Sequence, residues 1–186
     1  MRDIQEAATT GEPMSLSVLG RLYLGGYEKN GIPQDWGKAR ALWEEAVAKG
    51  YLLGGQFLTI FYYFGYGGPP DQVRAVGLAE RLADFMVAAK SILALAYYSG
   101  SGGKPLDQKH ACQLAQESRS HPHGAAVYGL CLLEGHLPGD RSQGYAWLLR
   151  AAAQGSSVAK SLAPEWERRL TKEEIDEAKR LLPNLK

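Results

Sequence analysis

The 186-residue sequence has little cysteine, almost no excess of charge and no long apolar run, and each shortage excludes a class of protein. Only Cys112 and Cys131 are present and no C-x-x-C pair occurs, so the chain is not a disulfide-rich scaffold. The 21 basic and 20 acidic residues give a net charge of +1, which argues against a nucleic-acid partner. No uninterrupted apolar run reaches the roughly 18 residues that a membrane span needs, so we expect no membrane insertion.

The N-terminal segment MRDIQEAATTGEP also lacks the apolar stretch of a secretory signal peptide. This observation leaves the compartment open: cytoplasmic if the chain is complete, periplasmic if a signal peptide was removed. Within the same segment, residues 4–10 predict half a helix.

Glycine, in contrast, is abundant, with 22 residues, or about 12% against the roughly 7% of ordinary proteins. The glycines lie in clusters between apolar blocks, as recurring turns do. An aspartate follows each of four clusters at spacings of 36, 36 and 33 residues: Asp35, Asp71, Asp107 and Asp140. Residues at offsets of 4, 7 and 11 from each aspartate are small or apolar, which describes one stripe of an α-helix, beginning with Ala39, Ala75, Ala111 and Gly144. The aspartate therefore stands at a helix start, where its carboxylate can cap free backbone N–H groups.

A second helix is predicted before each turn. Counting back from the turn glycines, a small residue recurs in each block: Gly20, Thr59, Ala94 and Gly129. Three residues later a large one recurs: Tyr23, Tyr62, Tyr97 and Leu132. The small residue lets two helices approach closely, and the tyrosine fills the space beside it.

Each unit is therefore a helix, a glycine-rich turn and an aspartate-led helix, and four units cover residues 14–50, 51–86, 87–123 and 124–155. One helix pair cannot bury its apolar face alone, whereas stacked pairs share a continuous core. We expect one all-α domain over residues 1–186, an α/α superhelical solenoid of antiparallel helix pairs. Residues 156–186 predict a partial fifth unit and a C-terminal capping helix, which begins with a capping box of Thr171 and Glu174.

These residues resemble the Sel-one-like repeat family, a relative of the tetratricopeptide solenoids. The first unit matches the family pattern at Leu19, Gly20, Tyr23, Gly26, Asp35, Lys38, Ala39, Ala46 and Gly50, with its tryptophan one place late at Trp43. The fourth unit matches at Gly129, Gly135, Asp140, Trp147, Ala151, Ala152 and Gly155. The middle units keep the aspartate, alanine and glycine but lose the tryptophan, so the resemblance covers about three quarters of the chain.

The sequence predicts no catalytic residue, no metal site and no cofactor. The segment at 99–107 fails as a phosphate-binding loop, because Tyr98 stands where the first glycine is needed and Pro105 where a magnesium-binding Ser or Thr belongs. His121 and His123 have no third ligand at a recognised spacing, so we interpret them as part of a polar loop that ends the third unit. We therefore expect that the protein is not an enzyme.

The two cysteines leave two alternatives. Cys131 lies in the apolar block GLCLL, which favours a small buried thiol. A disulfide that bridges two helices, between Cys112 and Cys131, is the other interpretation.

The segment FYYFGYGG at residues 61–68 concentrates aromatic rings, and the aligned units divide them into two kinds. Phe61 and Tyr62 match positions that are apolar or tyrosine in the first and third units, so we interpret them as core. The position of Phe64 is small, polar or charged in the other units, and that of Tyr66 is variable, so the core does not require a ring at either. The counterparts of Phe64 are Gly25, Ser99 and Glu134, and those of Tyr66 are Tyr27, Ser101 and His136.

The resemblance adds a function for these rings, because the first helix of each pair in tetratricopeptide-like solenoids lines the concave surface. On that basis the candidates for an aromatic-lined groove are Tyr27, Tyr63, Phe64, Tyr66 and Tyr98. Such rings give much contact area for little entropy loss and are common hot spots. The alternative is that they fill gaps left by the missing tryptophans.

We predict a non-catalytic interaction module that presents this groove to another protein or a peptide. The family resemblance implies an adaptor or regulatory role, in a bacterium. A more specific alternative is an immunity protein that binds and neutralises a secreted toxin. The sequence does not specify the oligomeric state.

Overall fold

The four repeated aspartates cap the second helix of each helix pair. In a computed structural model of the protein, each carboxylate accepts a hydrogen bond from the backbone N–H three residues on: Asp35 from Lys38, Asp71 from Arg74 and Asp107 from His110 at 2.9 Å, and Asp140 from Gln143 at 2.7 Å. The backbone N–H of three of these aspartates donates to the carbonyl of a repeated tyrosine: Asp35 to Tyr23 at 2.8 Å, Asp71 to Tyr62 at 2.7 Å and Asp107 to Tyr97 at 2.9 Å. The predicted caps are confirmed. In the repeats of Asp35, Asp71 and Asp107, main-chain hydrogen bonds also connect the two helices of the pair.

The structure describes Glu6 and residues 9–28 and 31–185. The half helix predicted at residues 4–10 lies largely outside the described residues. The chain divides into two compact units, each larger than a single repeat. From here on, the first unit is residues 1–82 and the second unit is residues 83–186.

The first unit contains four α-helices within the described residues: α1 (Pro13–Gly25), α2 (Trp36–Ala48), α3 (Gly55–Phe64) and α4 (Gln72–Leu82). A short 3₁₀ helix, Leu52–Gly54, leads into α3. Trp43 is completely buried and its Nε1 donates to the Ser17 carbonyl at 3.1 Å. A Cβ at Gly20 would lie 2.6 Å from that Nε1, so the small residue predicted in α1 is required by the indole that packs against it.

The second unit contains six α-helices: α5 (Val87–Ser99), α6 (Gln108–Glu117), α7 (Pro122–Leu133), α8 (Arg141–Ala153), α9 (Ser157–Glu167) and α10 (Lys172–Leu181), followed by a 3₁₀ helix at Leu182–Asn184. Helices α7 and α8 approach so closely that a Cβ at Gly129 would lie 2.7 Å from the Gly144 carbonyl oxygen. Trp147 packs edge-on against Tyr128, with 5.3 Å between ring centroids.

The C-terminal helix α10 packs against α8 and closes the second unit. It begins with the predicted capping box, in which Thr171 and Glu174 each accept a hydrogen bond from the other's backbone N–H. Its Ala178 is completely buried, whereas most of its remaining residues are charged and face solvent. The described residues contain no β-strand, only an isolated bridge between Tyr27 and Ile32. The predicted fold class, an all-α, α/α solenoid of antiparallel helix pairs, is confirmed.

The cysteines correct one expectation. Cys112 of α6 and Cys131 of α7 form a disulfide, with 5.9 Å between their Cα atoms, instead of the separate buried thiols that we favoured. Cys131 is completely buried, as its apolar block predicts. The pairing depends on which faces of the two helices meet, and α6 packs against α7 with both cysteines at the contact.

The segment that contains His121 and His123 corrects a second expectation. Residues 121–123 do not form a polar loop, because Pro122 is the first residue of α7 and His121 is its N-cap. Proline is favoured at this first position, where the missing N–H has no partner to lose. His123 is 6% exposed and its Nδ1 lies 3.2 Å from the Ser156 hydroxyl, so the second histidine is part of the core.

Candidate functional site

The most unusual surface of the first unit forms where α3 ends. Gly65 terminates α3 in the left-handed conformation, with φ +76°, and the chain reverses through Tyr66, whose N–H donates to the Phe61 carbonyl at 2.9 Å. Gly67, with φ +69°, rests directly against the Trp36 carbonyl, so no side chain fits there. This turn holds Tyr66 beside the first residue of α2.

Five rings meet at this turn, and we call them the aromatic patch: Trp36, Phe61, Tyr63, Phe64 and Tyr66. The ring of Tyr66 lies at the centre, with centroids 5.3 Å from Trp36, 5.6 Å from Phe61 and 5.7 Å from Phe64, against which it stacks. Phe64 is also 5.0 Å from Tyr63. These separations are those of favourable aromatic pairs, so the rings hold one another in fixed orientations.

The aromatic patch has a buried layer and a surface layer. Phe61 and Tyr63 are 4% and 7% exposed, and Phe61 continues into the core through an edge-on contact with Trp43, 5.0 Å between centroids. Trp36 is 42% exposed, and Phe64 and Tyr66 are half-buried. Phe64 and Tyr66 therefore belong to the surface layer, whereas Tyr63 is buried and packs against Phe64.

The two other predicted rings lie elsewhere. Tyr27 is 51% exposed in the turn after α1 and is not part of the aromatic patch. Tyr98 belongs to the second unit, where it packs against the core around α7 and α8. Burial and a hydrogen bond to Glu134 raise the pKa of the Tyr98 hydroxyl well above its usual range.

Trp36 is the residue of the site that the sequence argument missed. It follows the capping aspartate directly, and the equivalent positions hold Gln72, Gln108 and Arg141. A tryptophan at a position that is polar in the three other repeats was the signal that could have revealed it. Because α2 begins at this residue, the indole projects from the helix end toward the turn at residues 65–68.

A charged group borders the aromatic patch along α2. One turn after Trp36, Arg40 donates from Nε to Glu44 at 3.1 Å and from its Nη1 to the Pro69 carbonyl at 2.9 Å. Its guanidinium also lies 4.7 Å from the centroid of the Tyr62 ring. Burial, followed by a hydrogen bond to Glu44 and its negative charge, raises the pKa of Tyr62 to about 12, so its hydroxyl stays protonated and donates to the carboxylate.

Two histidines of the second unit have shifted pKa values because they are packed into the structure. Burial lowers the pKa of His121 to about 4 and that of His123 to about 3, with the charge of His121 adding to the shift at His123. Nδ1 of His121 lies 2.9 Å from the hydroxyl of Ser91, which is completely buried. Among the described residues, no three His, Cys, Asp or Glu side chains are placed to hold a metal ion, and no helix is long and apolar enough to cross a membrane.

The fold and the repeated caps define a class, the α/α repeat proteins, and comparison with known families makes this specific. The model of the Sel1 repeat matches four segments, residues 13–51, 51–84, 88–121 and 122–156. The chain belongs to the Sel1 repeat family, whose members are generally protein–protein interaction modules and whose fold is typically a non-catalytic scaffold. The matched segments agree closely with the unit bounds read from the sequence.

Solved structures of this repeat class resemble the chain in fold. One is a protective antigen present in uropathogenic Escherichia coli strains, displaying an SLR fold: 19% identity, TM-score 0.64, covering 96% of this chain and 38% of that one. Another is a Sel1 repeat protein from Oxalobacter formigenes: 24% identity, TM-score 0.55, covering 90% and 48%. The chain thus spans less than half the length of either protein. A comparison with curated protein sequences finds no match.

Proposed function

We propose that this protein is a non-catalytic adaptor or regulator, in a bacterium, that binds a protein partner through the surface layer of the aromatic patch. The observation that carries the proposal is that the rings of Trp36 and Phe64 both pack against Tyr66, and the core leaves all three partly exposed. Tryptophan and tyrosine are enriched among the residues that dominate binding free energy. Because the rings already support one another, little side-chain entropy is lost when a partner covers them.

The adjacency of the partly exposed rings also favours a protein partner. A single exposed apolar residue is ordinary, whereas a contiguous group of rings marks an interaction surface. Arg40, one turn after Trp36, donates to the Pro69 carbonyl and so places a charged group beside the turn that carries these rings. The near-zero net charge indicates that shape and apolar contact, more than electrostatic steering, determine the affinity.

The test compares three forms of the purified full chain: wild type, Trp36→Ala/Tyr66→Ala, and Phe85→Ala as a matched control. Phe85 is 83% exposed and lies outside the aromatic patch, so its loss removes an exposed ring without touching the proposed site. Each form is used to capture partners from a lysate of the organism that encodes it, and captured proteins are identified by mass spectrometry. The Kd of a purified partner is then measured by calorimetry.

We expect the wild type and Phe85→Ala to bind one partner equally, and the double variant to bind it at least about 30-fold more weakly, since two hot-spot rings are removed. Unchanged circular dichroism of the double variant shows that binding, not folding, was lost. A partner bound equally by all three forms would place the interface elsewhere. The identity of the partner also distinguishes an adaptor from an immunity protein, whose partner is a toxin.

A further inference from the structure

A small cleft opens in the first unit between α2 and α4, both of which pack against α3. Its floor is formed by Leu58 and Tyr62 of α3, and Val47 and Leu78 provide apolar walls. Its volume of about 270 Å³ is below the range of about 300–1,000 Å³ that small-molecule and cofactor sites occupy. The cleft therefore fits one or two side chains of a peptide better than a cofactor.

One residue of the cleft lining, Gly77, contributes no side chain to it. Gly77 of α4 lines it, and a Cβ built at Gly77 meets no atom within 4 Å. The backbone at Gly77 has ordinary helical geometry, so no strained conformation requires glycine there. Glycine in a helix interior costs about 1 kcal/mol relative to alanine. The helix thus carries a destabilising residue in the lining of the cleft, where it adds no side chain.

The rim of the cleft carries an excess of positive charge. Arg74 and Arg81 of α4 stand two turns apart on one face of the helix, and both line the cleft. Among the residues that the structure describes, neither has a carboxylate within the 4.0 Å of an ion pair. The nearest acid of the cleft, Glu44, is already bound by Arg40 and by the Tyr62 hydroxyl. Two arginines without a carboxylate partner among the described residues therefore line a largely apolar cleft.

Arg74 is also held in position. Its guanidinium lies 4.9 Å from the centroid of the Tyr62 ring, which restrains it while leaving its N–H groups available at the cleft. A guanidinium presents paired N–H donors that match the two oxygens of a carboxylate. Restraint before binding reduces the entropy that is lost when an acidic group arrives.

We propose that this cleft takes an acidic peptide segment of a protein partner. An apolar side chain of the segment lies between Val47, Leu58 and Leu78, and a neighbouring Asp or Glu carboxylate pairs with Arg74 and Arg81. The proposal rests on the proposed function in that the partner is a protein, but it concerns a second contact, distinct from the aromatic patch. It states the chemistry that the partner must carry: a carboxylate beside an apolar residue.

The test is selection of a random 12-residue peptide library, displayed on phage, against the full wild-type chain. We expect enriched peptides to contain Asp or Glu next to Leu, Ile, Val or Phe. A synthetic copy of an enriched peptide is then titrated by fluorescence anisotropy against the wild type and against Arg74→Gln/Arg81→Gln. Loss of the two charge-assisted contacts should raise Kd by about tenfold or more.

Two further variants separate the cleft from simple charge attraction. Gly77→Leu adds a bulky apolar side chain to the cleft lining without changing charge, and we expect it to weaken binding as strongly as the arginine variant does. Lys160→Gln/Lys172→Gln removes two positive charges from exposed positions of the second unit, and we expect it to leave Kd unchanged at physiological salt. Replacing the peptide's acidic residue by Gln should raise Kd for the wild type but not for the arginine variant.

Several results would overturn the proposal: no enrichment above background, enriched peptides without carboxylates, or equal binding to the wild type and Gly77→Leu. A phosphoserine in place of the acidic residue that tightens binding by more than about tenfold would assign the site to phosphopeptides instead. Peptides that lose binding to Trp36→Ala/Tyr66→Ala but keep it to both cleft variants would refute the cleft while supporting the aromatic patch. The reverse pattern would support the cleft and leave the aromatic patch without a ligand.

Discussion

The two compact units use the same repeat differently. In the first unit, large rings fill the space between helices and extend past the core, so that Trp36, Phe64 and Tyr66 reach the surface. In the second unit, small residues bring the helices together, and α7 buries ten of its 12 residues. Helix α1, which has the equivalent place in the first unit's first repeat, buries three of its 13.

This difference shows how one pattern serves two purposes. The second unit gains its stability from close backbone approach at Gly129 and Gly144 and from the Cys112–Cys131 bridge. The first unit has no cysteine and packs with rings, which are hard to enclose completely between short helices. The rings that remain partly exposed are the ones that we propose bind a partner.

The sharpest way to separate core from surface is to remove one tryptophan of each kind in the first unit. Trp43→Ala deletes a completely buried indole and should lower the free energy of unfolding by about 3–5 kcal/mol. Trp36→Ala deletes a ring that is 42% exposed and should lower it by about 1 kcal/mol or less. Urea denaturation of both variants, followed by circular dichroism, measures the two values. Equal losses would show that Trp36 is a core residue and would remove the basis of the proposed interface.

The next largest effect is expected in the second unit. Cysteines 112 and 131, 19 residues apart in sequence, close a loop whose cross-link restricts the unfolded chain. Cys112→Ala/Cys131→Ala should therefore lower the stability of this unit by about 2–4 kcal/mol. Labelling with 5-fluorotryptophan allows ¹⁹F NMR to follow each unit, because Trp36 and Trp43 lie in the first and Trp147 and Trp166 in the second. A reductant should lower the stability that Trp147 and Trp166 report and leave that reported by Trp36 and Trp43 unchanged. An equal loss at both pairs would contradict the prediction.

A smaller difference should appear on acidification. Burial depresses the pKa of His121 to about 4 and of His123 to about 3 in the folded state, whereas an unfolded histidine takes up a proton near pH 6.5. The stability that these neutral side chains allow is complete above pH 6.5 and is lost as the pH falls toward the folded values, by about 1 kcal/mol per histidine between pH 6.5 and 5.5.

The second unit should therefore unfold at a higher pH than the first, which contains no histidine. An acid titration followed by the same four tryptophan resonances measures the order. Replacing His121 and His123 by asparagine should abolish the sensitivity in this range, whereas replacing His110 and His136 should preserve it. If replacing His110 and His136 removed the sensitivity to acid, those histidines would cause the effect and the prediction would be wrong.

Local rules made much of the fold predictable from the sequence. The caps at Asp35, Asp71, Asp107 and Asp140 and the capping box of α10 depend on residues only three positions apart, so spacing was sufficient to find them. The small residue at Gly20 was found because it recurs, although its reason, the Trp43 indole, appears only in the structure.

What the sequence could not decide depends on which faces of different helices meet. Cys112 and Cys131 lie in different helices, and their pairing follows from the contact of α6 with α7, not from their spacing. His121 and His123 read as a loop because proline usually interrupts a helix, whereas here Pro122 begins one. Trp36 was missed because a residue beside a cap has no periodic signature of its own.

The bond from the amides of Asp35, Asp71 and Asp107 to the repeated tyrosine carbonyls has a consequence for how such chains can change. It joins main-chain atoms, so almost any substitution at either position leaves it intact, proline at the aspartate being the exception. The two middle repeats lack the family's tryptophan, yet Asp71 and Asp107 still make the bond that sets the register between their paired helices. For the same reason a duplicated repeat brings its own donor and its own acceptor, so an array of this kind can lengthen by a whole unit in one genetic step.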